Sequence, residues 1–463
     1  MLAIFLAPLY ILINIYIVRW MILWMGACTH LFQTPLFRVC FAGVYIFLAS
    51  SLLTSFLIRK PPAFHRFLKN TANYFQGTFL YILIIIVTTD LTRLLLKHTL
   101  HPDWLYTRKS FVLTGAICTL LIIGISVYGI LNQWNLKTKT YDLKVDKQVE
   151  GTDSLKIVLL ADIHFGYSIG EKNAELLVNA INAQKPDLVC IAGDIFDNEY
   201  EGLKNPEKTA STLRSIRSRY GVYACWGNHD LNEPILAGFT FRSANKDYDD
   251  PRMTQFLKDA NIRLLNDETV LIDDRFYLTG RKDPSRCRKM DDTRKSPSQL
   301  TKSLDLRRPV IFMDHQPGEL DEVASSGADL DLCGHTHDGQ LFPLNIITSL
   351  VWENSCGYLK KGTCTTSSPQ VSAYGVRICE LQQTARSAPS LCIFPRNLHL
   401  DSPLLKYFQH TFPSLGLLPT STLSVTVFSP LRAYPHLFLH TSVPDAATPS
   451  CPVPASAAFR TLS

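Results

Sequence analysis

Asp162 and His164 stand two residues apart at the end of the apolar run 156–160, in the stretch LKIVLLADIHFG. A short run rich in β-branched residues predicts a buried strand. In extended backbone, residues i and i+2 face the same side, so a carboxylate and an imidazole arrive together as donors for one cation. The arrangement recurs along the chain. DLVCIAGDIFD ends on Asp194 and Asp197, VYACWGNHD on Asn228, His229 and Asp230, PVIFMDHQ on Asp314 and His315, and LDLCGHTH on His335 and His337. One such pair is an ordinary solvated strand end. Repeated delivery of oxygen and imidazole donors from successive strand ends predicts a metal centre.

The elements that must position these donors read as alternating strands and helices. Residues 171–184 carry Leu176, Leu177, Ala180 and Ile181 at helical spacing and stop before Pro186. Further helices are predicted over 206–219, 253–260 and 320–325. Strand, ligand-bearing loop and helix in repetition predict an α/β domain with its site at the strand ends.

Upstream of this domain the composition changes. The 463 residues are 46% hydrophobic and 19% charged, with a mean hydropathy of +0.07. The apolar excess lies in the first ~135 residues, where four stretches approach the ~20 residues needed to span a bilayer: 2–24, 39–58, 79–96 and 111–131. The first lacks the basic n-region of a cleaved signal peptide and is followed by further spans. Asp90 and Arg93, three apart near the end of the third span, are expected to pair with each other. The loop between the second and third spans holds Arg59, Lys60, Arg66 and Lys69, and the segment after the fourth holds Lys137, Lys139, Lys144 and Lys147. The positive-inside rule puts both on the cytoplasmic face, together with the domain that follows. The expected organisation is a transmembrane region with four helices (1–132), a linker (133–152), the α/β domain (153–385) and a Pro/Ser-rich disordered tail (386–463). The net charge of +6 is scattered, so no nucleic-acid partner is expected. The twelve cysteines lack paired spacing and suit reduced thiols.

Taken together and in order, Asp162-x-His164, Gly193-Asp194-x-x-Asp197, Gly227-Asn228-His229-Asp230, His315 and Gly334-His335-x-His337 resemble the signature of the calcineurin-like metallophosphoesterases, across about half of the chain. The resemblance implies a two-sheet β-sandwich flanked by helices. It implies two divalent metal ions, of which Mn, Fe, Zn or Mg all suit a mixed O/N shell. Asp162, His164 and His337 would hold one, Asn228, His315 and His335 the other, and Asp194 would bridge them. It also implies hydrolysis of a phosphoester or phosphoanhydride by metal-activated hydroxide. His229 would be the histidine that stabilises the transition state or protonates the leaving oxygen, Asp230 would orient it, and Asp197 would brace the loop.

Two departures narrow the reading. Asn198 and Glu199 follow Asp197, where the phosphoprotein phosphatases of the superfamily carry Arg-Gly. The run GHTHDGQLFP looks like the membrane-associated bacterial-type branch, some members of which cleave nucleotide-linked lipid precursors. The expectation is an integral, multi-pass membrane phosphohydrolase acting on a phosphorylated small molecule or a lipid-linked substrate at the bilayer. The open alternative is a receptor, transporter or pseudoenzyme that binds metal or phosphate without turnover. Arg281 and Lys282, at the end of RFYLTG, are candidate phosphate contacts. After residues 357–362 the family pattern dissolves, so the sheet is expected to lose its closing strands.

Overall fold

The computed structural model describes residues 2–132, 136, 138–147, 149, 151, 154–236, 239–240, 248–337, 343–368, 375–383 and 421–427. Four helices come first: α1 (Leu2–Cys28), α2 (Pro35–Leu57), α3 (Pro62–Thr99) and α4 (Arg108–Asn132). Each is long and apolar enough to cross a bilayer, and they pack through Ile17, Trp20, Tyr45, Phe75, Ile82 and Ile86. With 38 residues, α3 reaches about 57 Å and starts well before the expected position 79. The polar turn around Arg66 and Lys69 contains no helix breaker between Pro62 and Gly77, so most of the expected loop is helix. The expected pairing of Asp90 with Arg93 is not formed. Asp90 accepts Tyr16 Oη–H at 2.7 Å and Trp20 Nε1–H at 3.1 Å from α1, while Arg93 Nη2 donates to the Leu105 carbonyl at 3.0 Å.

After α4 the chain enters β1 (Lys139–Val145). The α/β part then runs β2 (Ser154–Ala161), α5 (Glu171–Gln184), β3 (Leu188–Ala192), α6 (Pro206–Leu213), β4 (Val222–Cys225), β5 (Ile235–Leu236), β6 (Phe239–Thr240), α7 (Pro251–Asp259) and β7 (Ile262–Leu264). It continues with β8 (Glu268–Ile272), β9 (Phe276–Gly280), α8 (Pro284–Met290), α9 (Pro297–Thr301), β10 (Val310–Met313), α10 (Leu320–Ser325) and β11 (Leu330–Leu332). The last elements are α11 (Leu344–Val351), β12 (Gly357–Lys361), β13 (Cys364–Ser368), β14 (Gly375–Gln383) and β15 (Ser421–Val427).

Two large sheets result, with orders β1-β15-β14-β2-β3-β4-β7 and β12-β13-β11-β10-β9-β8, beside the small pair β5-β6. Strands β2, β3, β4 and β7 are mutually parallel, as are β9, β10, β11 and β13. Side-chain alternation along β2 sets the layers. Ile157, Leu159 and Ala161 point into a core shared with Ile311, Met313, Leu330 and Leu332 of the second sheet. Val158 and Leu160 point the other way, under Leu177 and Ile181 of α5, Ala210 of α6 and Phe256 of α7. Val310 and Phe312 face outward beneath Leu300 of α9 and Val323 of α10. The order is helices, sheet, sheet, helices.

The expected loss of closing strands is corrected by β13, which pairs with β11 on one side and β12 on the other. Its sequence CTTSS lacks apolar alternation, but its β-branched threonines suit a pleated sheet. Its backbone is satisfied by its neighbours, and Asn354 Nδ2 donates to the Thr366 carbonyl at 3.1 Å. Beyond it, β14 joins β2 at Gly375 opposite Ala161. One strand, β15, falls inside the stretch 386–463 expected as a tail, the rest of which lies outside the described residues.

Candidate metal centre

Every candidate donor sits at the C-terminal end of a parallel strand. Asp162 and His164 follow β2, Asp194 follows β3, Asn228 and His229 follow β4, His315 follows β10, and His335 and His337 follow β11. Parallel strands emit their C-terminal loops on one edge, so two sheets packed face to face bring the donors to one rim. Asp162, His164, Asp194, His335 and His337 all have φ between +50° and +74°. Left-handed backbone is uncommon for residues other than glycine and persists only where the surroundings impose it. Gly193, with φ +77°, sits so close that a Cβ there would lie 2.6 Å from His315 Nδ1 and 2.8 Å from Gly227 Cα.

The seven expected ligands come together in two groups sharing Asp194. Asp162, His164, Asp194 and His337 form one, and Asp194, His315 and His335 the other, the ligand atoms of each lying within 4.8 Å of one another. Asn228 Oδ1 lies 3.0 Å from His315 Nε2, which extends the second group. Around them, Asp162 Oδ1 and Oδ2 accept the His335 backbone N–H at 2.9 and 3.0 Å, and Asp194 Oδ1 accepts the His229 N–H at 2.7 Å. Asp194 Oδ2 is 3.1 Å from His315 Nε2, and His315 Nδ1 lies 2.9 Å from the Ala192 carbonyl. These contacts fix the carboxylates and leave imidazole nitrogens converging.

The electrostatics of the two groups differ. Burial pushes the His164 imidazole well down, and burial followed by His315 takes His335 to about 3, so both are neutral and have a lone pair to share. Burial opposes the charge on Asp194, but His315 and His229 outweigh it and hold this carboxyl well below its usual range. Burial likewise opposes a charge on His315, and Asp194 outweighs it. Burial raises the Asp162 carboxyl. A shared carboxylate between imidazole-rich sets suits two divalent cations, because it screens their repulsion and the imidazoles, His315 included once a cation displaces its proton, add no charge as ligands. His337 Nε2 lies 3.2 Å from His164 Nε2 and 3.4 Å from Asp162 Oδ1, so two imidazole nitrogens and a carboxylate oxygen converge where a cation would satisfy all three. The residues therefore fit a metal centre.

His229 stands beside the first group, its ring centroid 5.0 Å from that of His164. Asp230 does not orient it. Both Asp230 oxygens are taken by backbone, accepting Phe196 N–H at 2.8 Å and Gly227 N–H at 2.7 Å. Burial and then the Asp194 charge push this carboxyl up to about 7. The group facing His229 Nδ1 is Asn198, whose Oδ1 lies 2.5 Å away. Asn198 is fully buried with φ +59°. Sequence reasoning registered it only as the absence of an arginine; an Asn two residues before a Tyr in a ligand loop has no distinguishing period or spacing. Asp197 Oδ1 is 3.8 Å from His164 Nδ1, and Asp197, His164 and His229 form a third group of convergent donors. Arg281 is no phosphate contact. It is fully buried, pairing with Asp314 at 2.5 Å and Glu319 at 2.6 Å, while Lys282 pairs with Asp292 at 2.7 Å. The Asp338, Gly339 and Gln340 that follow His337 lie outside the described residues.

The first turns of α3 close against the ligand loops. Arg66 Nη1 donates to the Gly202 carbonyl at 2.8 Å and to the Tyr167 carbonyl at 3.4 Å, and Asn73 Nδ2 donates to Ser168 Oγ at 3.0 Å. Glu199, next to Asn198, is approached by Lys69 at 3.5 Å, Arg59 at 3.6 Å and His65 at 3.9 Å.

The fold and this rim define a class. Residues 155–339 match the profile of the calcineurin-like phosphoesterases, so this part of the chain is similar to a calcineurin-like phosphoesterase domain. A transmembrane protein with metallophosphoesterase domain from Danio rerio is 27% identical over 267 residues, covering 56% of this chain and 59% of that protein. An uncharacterized metallophosphoesterase of Campylobacter jejuni is 31% identical over 241 residues, covering 50% of this chain and 58% of the relative. The UDP-2,3-diacylglucosamine pyrophosphatase LpxG of Chlamydia trachomatis is 20% identical over 265 residues, covering 50% of this chain and 78% of the relative. The chain thus spans under two thirds of the length of the first two relatives. With its four spanning helices and a transmembrane relative, it is a membrane protein.

Proposed function

We propose that this chain is a membrane-anchored, metal-dependent phosphohydrolase that cleaves a phosphoester or pyrophosphate bond of a lipid-linked substrate at the cytoplasmic surface of the bilayer. The observation that carries the reading is the convergence of Asp162, His164, Asp194, Asn228, His315, His335 and His337 on one rim, in two groups sharing Asp194. Bound divalent cations supply Lewis acidity toward phosphoryl oxygens and lower the pKa of a water nucleophile.

The protein's own part is positioning and proton transfer. Asp162 and Asp194 are held by backbone N–H groups, so their geometry is set before substrate arrives. With His229 Nδ1 turned to Asn198 Oδ1, its Nε2 is the nitrogen left to give a proton to the leaving oxygen, a role worth about 10²- to 10⁴-fold in rate. The docking of α3 on the loops that follow His164 and Asn198 ties the centre to the membrane region, which supports a substrate taken from the headgroup layer. Support also comes from α11, which follows His337 and exposes Ile346, Ile347, Leu350 and Val351, and from the lipid-precursor pyrophosphatase among the relatives. The basic residues Arg59, Lys60, Arg66 and Lys69 on the same face support a cytoplasmic site.

The test is Mn²⁺-dependent hydrolysis of bis(p-nitrophenyl) phosphate by the detergent-solubilised full chain, repeated with UDP-2,3-diacylglucosamine in mixed micelles. Asp194→Asn and His229→Ala are expected to lose activity on both. Equal rates in the wild type and both variants would remove the enzyme reading, and turnover of the chromogenic diester alone would remove the lipid.

A further inference from the structure

We propose that the membrane region carries a second ligand site, remote from the metal centre, that takes a phosphate group presented by an anionic phospholipid. A cavity of about 920 Å³ opens among α1, the turn Asp103–Tyr106, the far end of α3 and the start of α4. Three cations line it, Arg93, Lys97 and Arg108, against one carboxylate, Asp90. That carboxylate is already engaged by Tyr16 and Trp20. Among the described residues, none of the three cations makes an ion pair.

The arginines are placed rather than loose. Arg93 Nη2 donates to the Leu105 carbonyl at 3.0 Å, and its guanidinium lies 5.6 Å from the Phe111 ring centroid. Its Nη1 is buried with no hydrogen-bond partner. Arg108 is anchored through Nε to the Ala27 carbonyl at 2.7 Å, and neither of its terminal nitrogens is hydrogen-bonded among the described residues. A guanidinium held by one nitrogen, with a buried N–H left unmet, costs free energy that an anionic acceptor recovers. Phosphate oxygens match that geometry and that charge.

The source of the phosphate follows from the walls. Leu91 and Leu94 of α3 line the same cavity and are more than half exposed, so the cations border a surface that faces acyl chains. A phosphodiester with its chains along α3 meets both halves of the site, whereas free phosphate meets only the cations. Position supports a lipid as well. Arg93 lies 24 residues along α3 from Lys69, about 36 Å of helix, which puts the cavity at the opposite headgroup layer from the phosphoesterase domain. Basic pockets between spanning helices are recognised binders of acidic headgroups. The competing explanation is a plain snorkelling girdle, in which lysines and arginines reach the interface without a specific occupant.

Native mass spectrometry of the full chain in detergent separates these readings, with phosphatidylglycerol, phosphatidylcholine and inorganic phosphate as probes. The proposal expects a one-to-one phosphatidylglycerol adduct that phosphatidylcholine does not replace. Arg93→Gln and Lys97→Gln are each expected to weaken it roughly tenfold, about the loss of one charge-assisted hydrogen bond. Lys97 is exposed and makes no ion pair among the described residues, so its variant separates binding from folding, and an unchanged thermal transition checks both. Retention of inorganic phosphate with no lipid adduct would overturn the lipid assignment. An adduct equal for both lipids, or unaffected by the two substitutions, would identify a girdle and overturn the site.

Discussion

Asn198 and Asp331 illustrate how single side chains set the chemistry and the stability of the rim. Asn198 is the group that meets His229 Nδ1. Its replacement by Ala leaves the imidazole free to rotate, and misplaced catalytic groups cost up to about 10²-fold. Asn198→Ala is therefore expected to lower kcat by about 10- to 100-fold with little change in KM or metal content, read from steady-state kinetics and elemental analysis. An unchanged kcat would remove the assignment. Asp331 lies buried on β11, with Cys333 Sγ donating to its Oδ2 at 3.2 Å and its Oδ1 unpartnered. Burial, then the charge of Asp314, pushes its carboxyl from 3.8 up to about 7. A raised folded-state value means that the native chain holds a proton the unfolded chain releases. The stabilising contribution is full below about pH 4 and disappears as pH rises through about 7. Asp331→Asn is thus expected to melt a few degrees higher than the wild type at pH 8, where ~1 kcal/mol corresponds to about 2–4 °C, and only marginally higher at about pH 4, where both states hold the proton. A variant that gains equally at both values would contradict the assigned ionisation.

At the level of elements, the legible parts of the sequence were those with a period or an intact motif. The apolar runs that became β2, β3, β4 and β10 and the helical spacing of α5 announced themselves, and their ends carried donors at recognisable spacing. The signal failed where neighbours decide conformation. CTTSS has no apolar alternation, yet it is central because β11 and β12 flank it. Residues 206–219 read as one helix, but α6 stops at Leu213, and Ser215 and Ile216 turn back to the carbonyls of Thr212 and Leu213. The first turns of α3 read as a loop because their charges suggest solvent, whereas those charges face Glu199, Tyr167 and Gly202. Lys69 and Glu199 are largely buried, at 16% and 10% side-chain exposure, so this contact is more than a solvated surface pair. Each single change, Lys69→Met or Glu199→Gln, is expected to lower kcat roughly tenfold through Asn198 and His229. The double exchange Lys69→Glu with Glu199→Lys restores part of it. Additive losses in the double variant would show that the two residues do not act together.

Over the whole molecule, the membrane region and the phosphoesterase domain are joined at the place where chemistry is expected. Donors leave both sheets on a single edge, and the polar turns of α3 contact the loops on that edge. Within the domain, two sheets share one core and helices cover the outer faces. This arrangement makes the membrane helices part of the site's support, in addition to any role as an anchor. It also explains why residue types alone revealed the ligands but not their bracing: ligands must be oxygen or imidazole, whereas a brace is any group of the right length in the right place.

The most direct measurement is the metal content of the purified, folded full chain by inductively coupled plasma mass spectrometry, with folding checked by circular dichroism. Two divalent transition-metal ions per chain are expected, with a marked loss in Asp194→Asn, whose carboxylate serves both groups. A well-folded wild-type protein that binds no such ion after exposure to Mn²⁺, Fe²⁺ and Zn²⁺ would contradict the account.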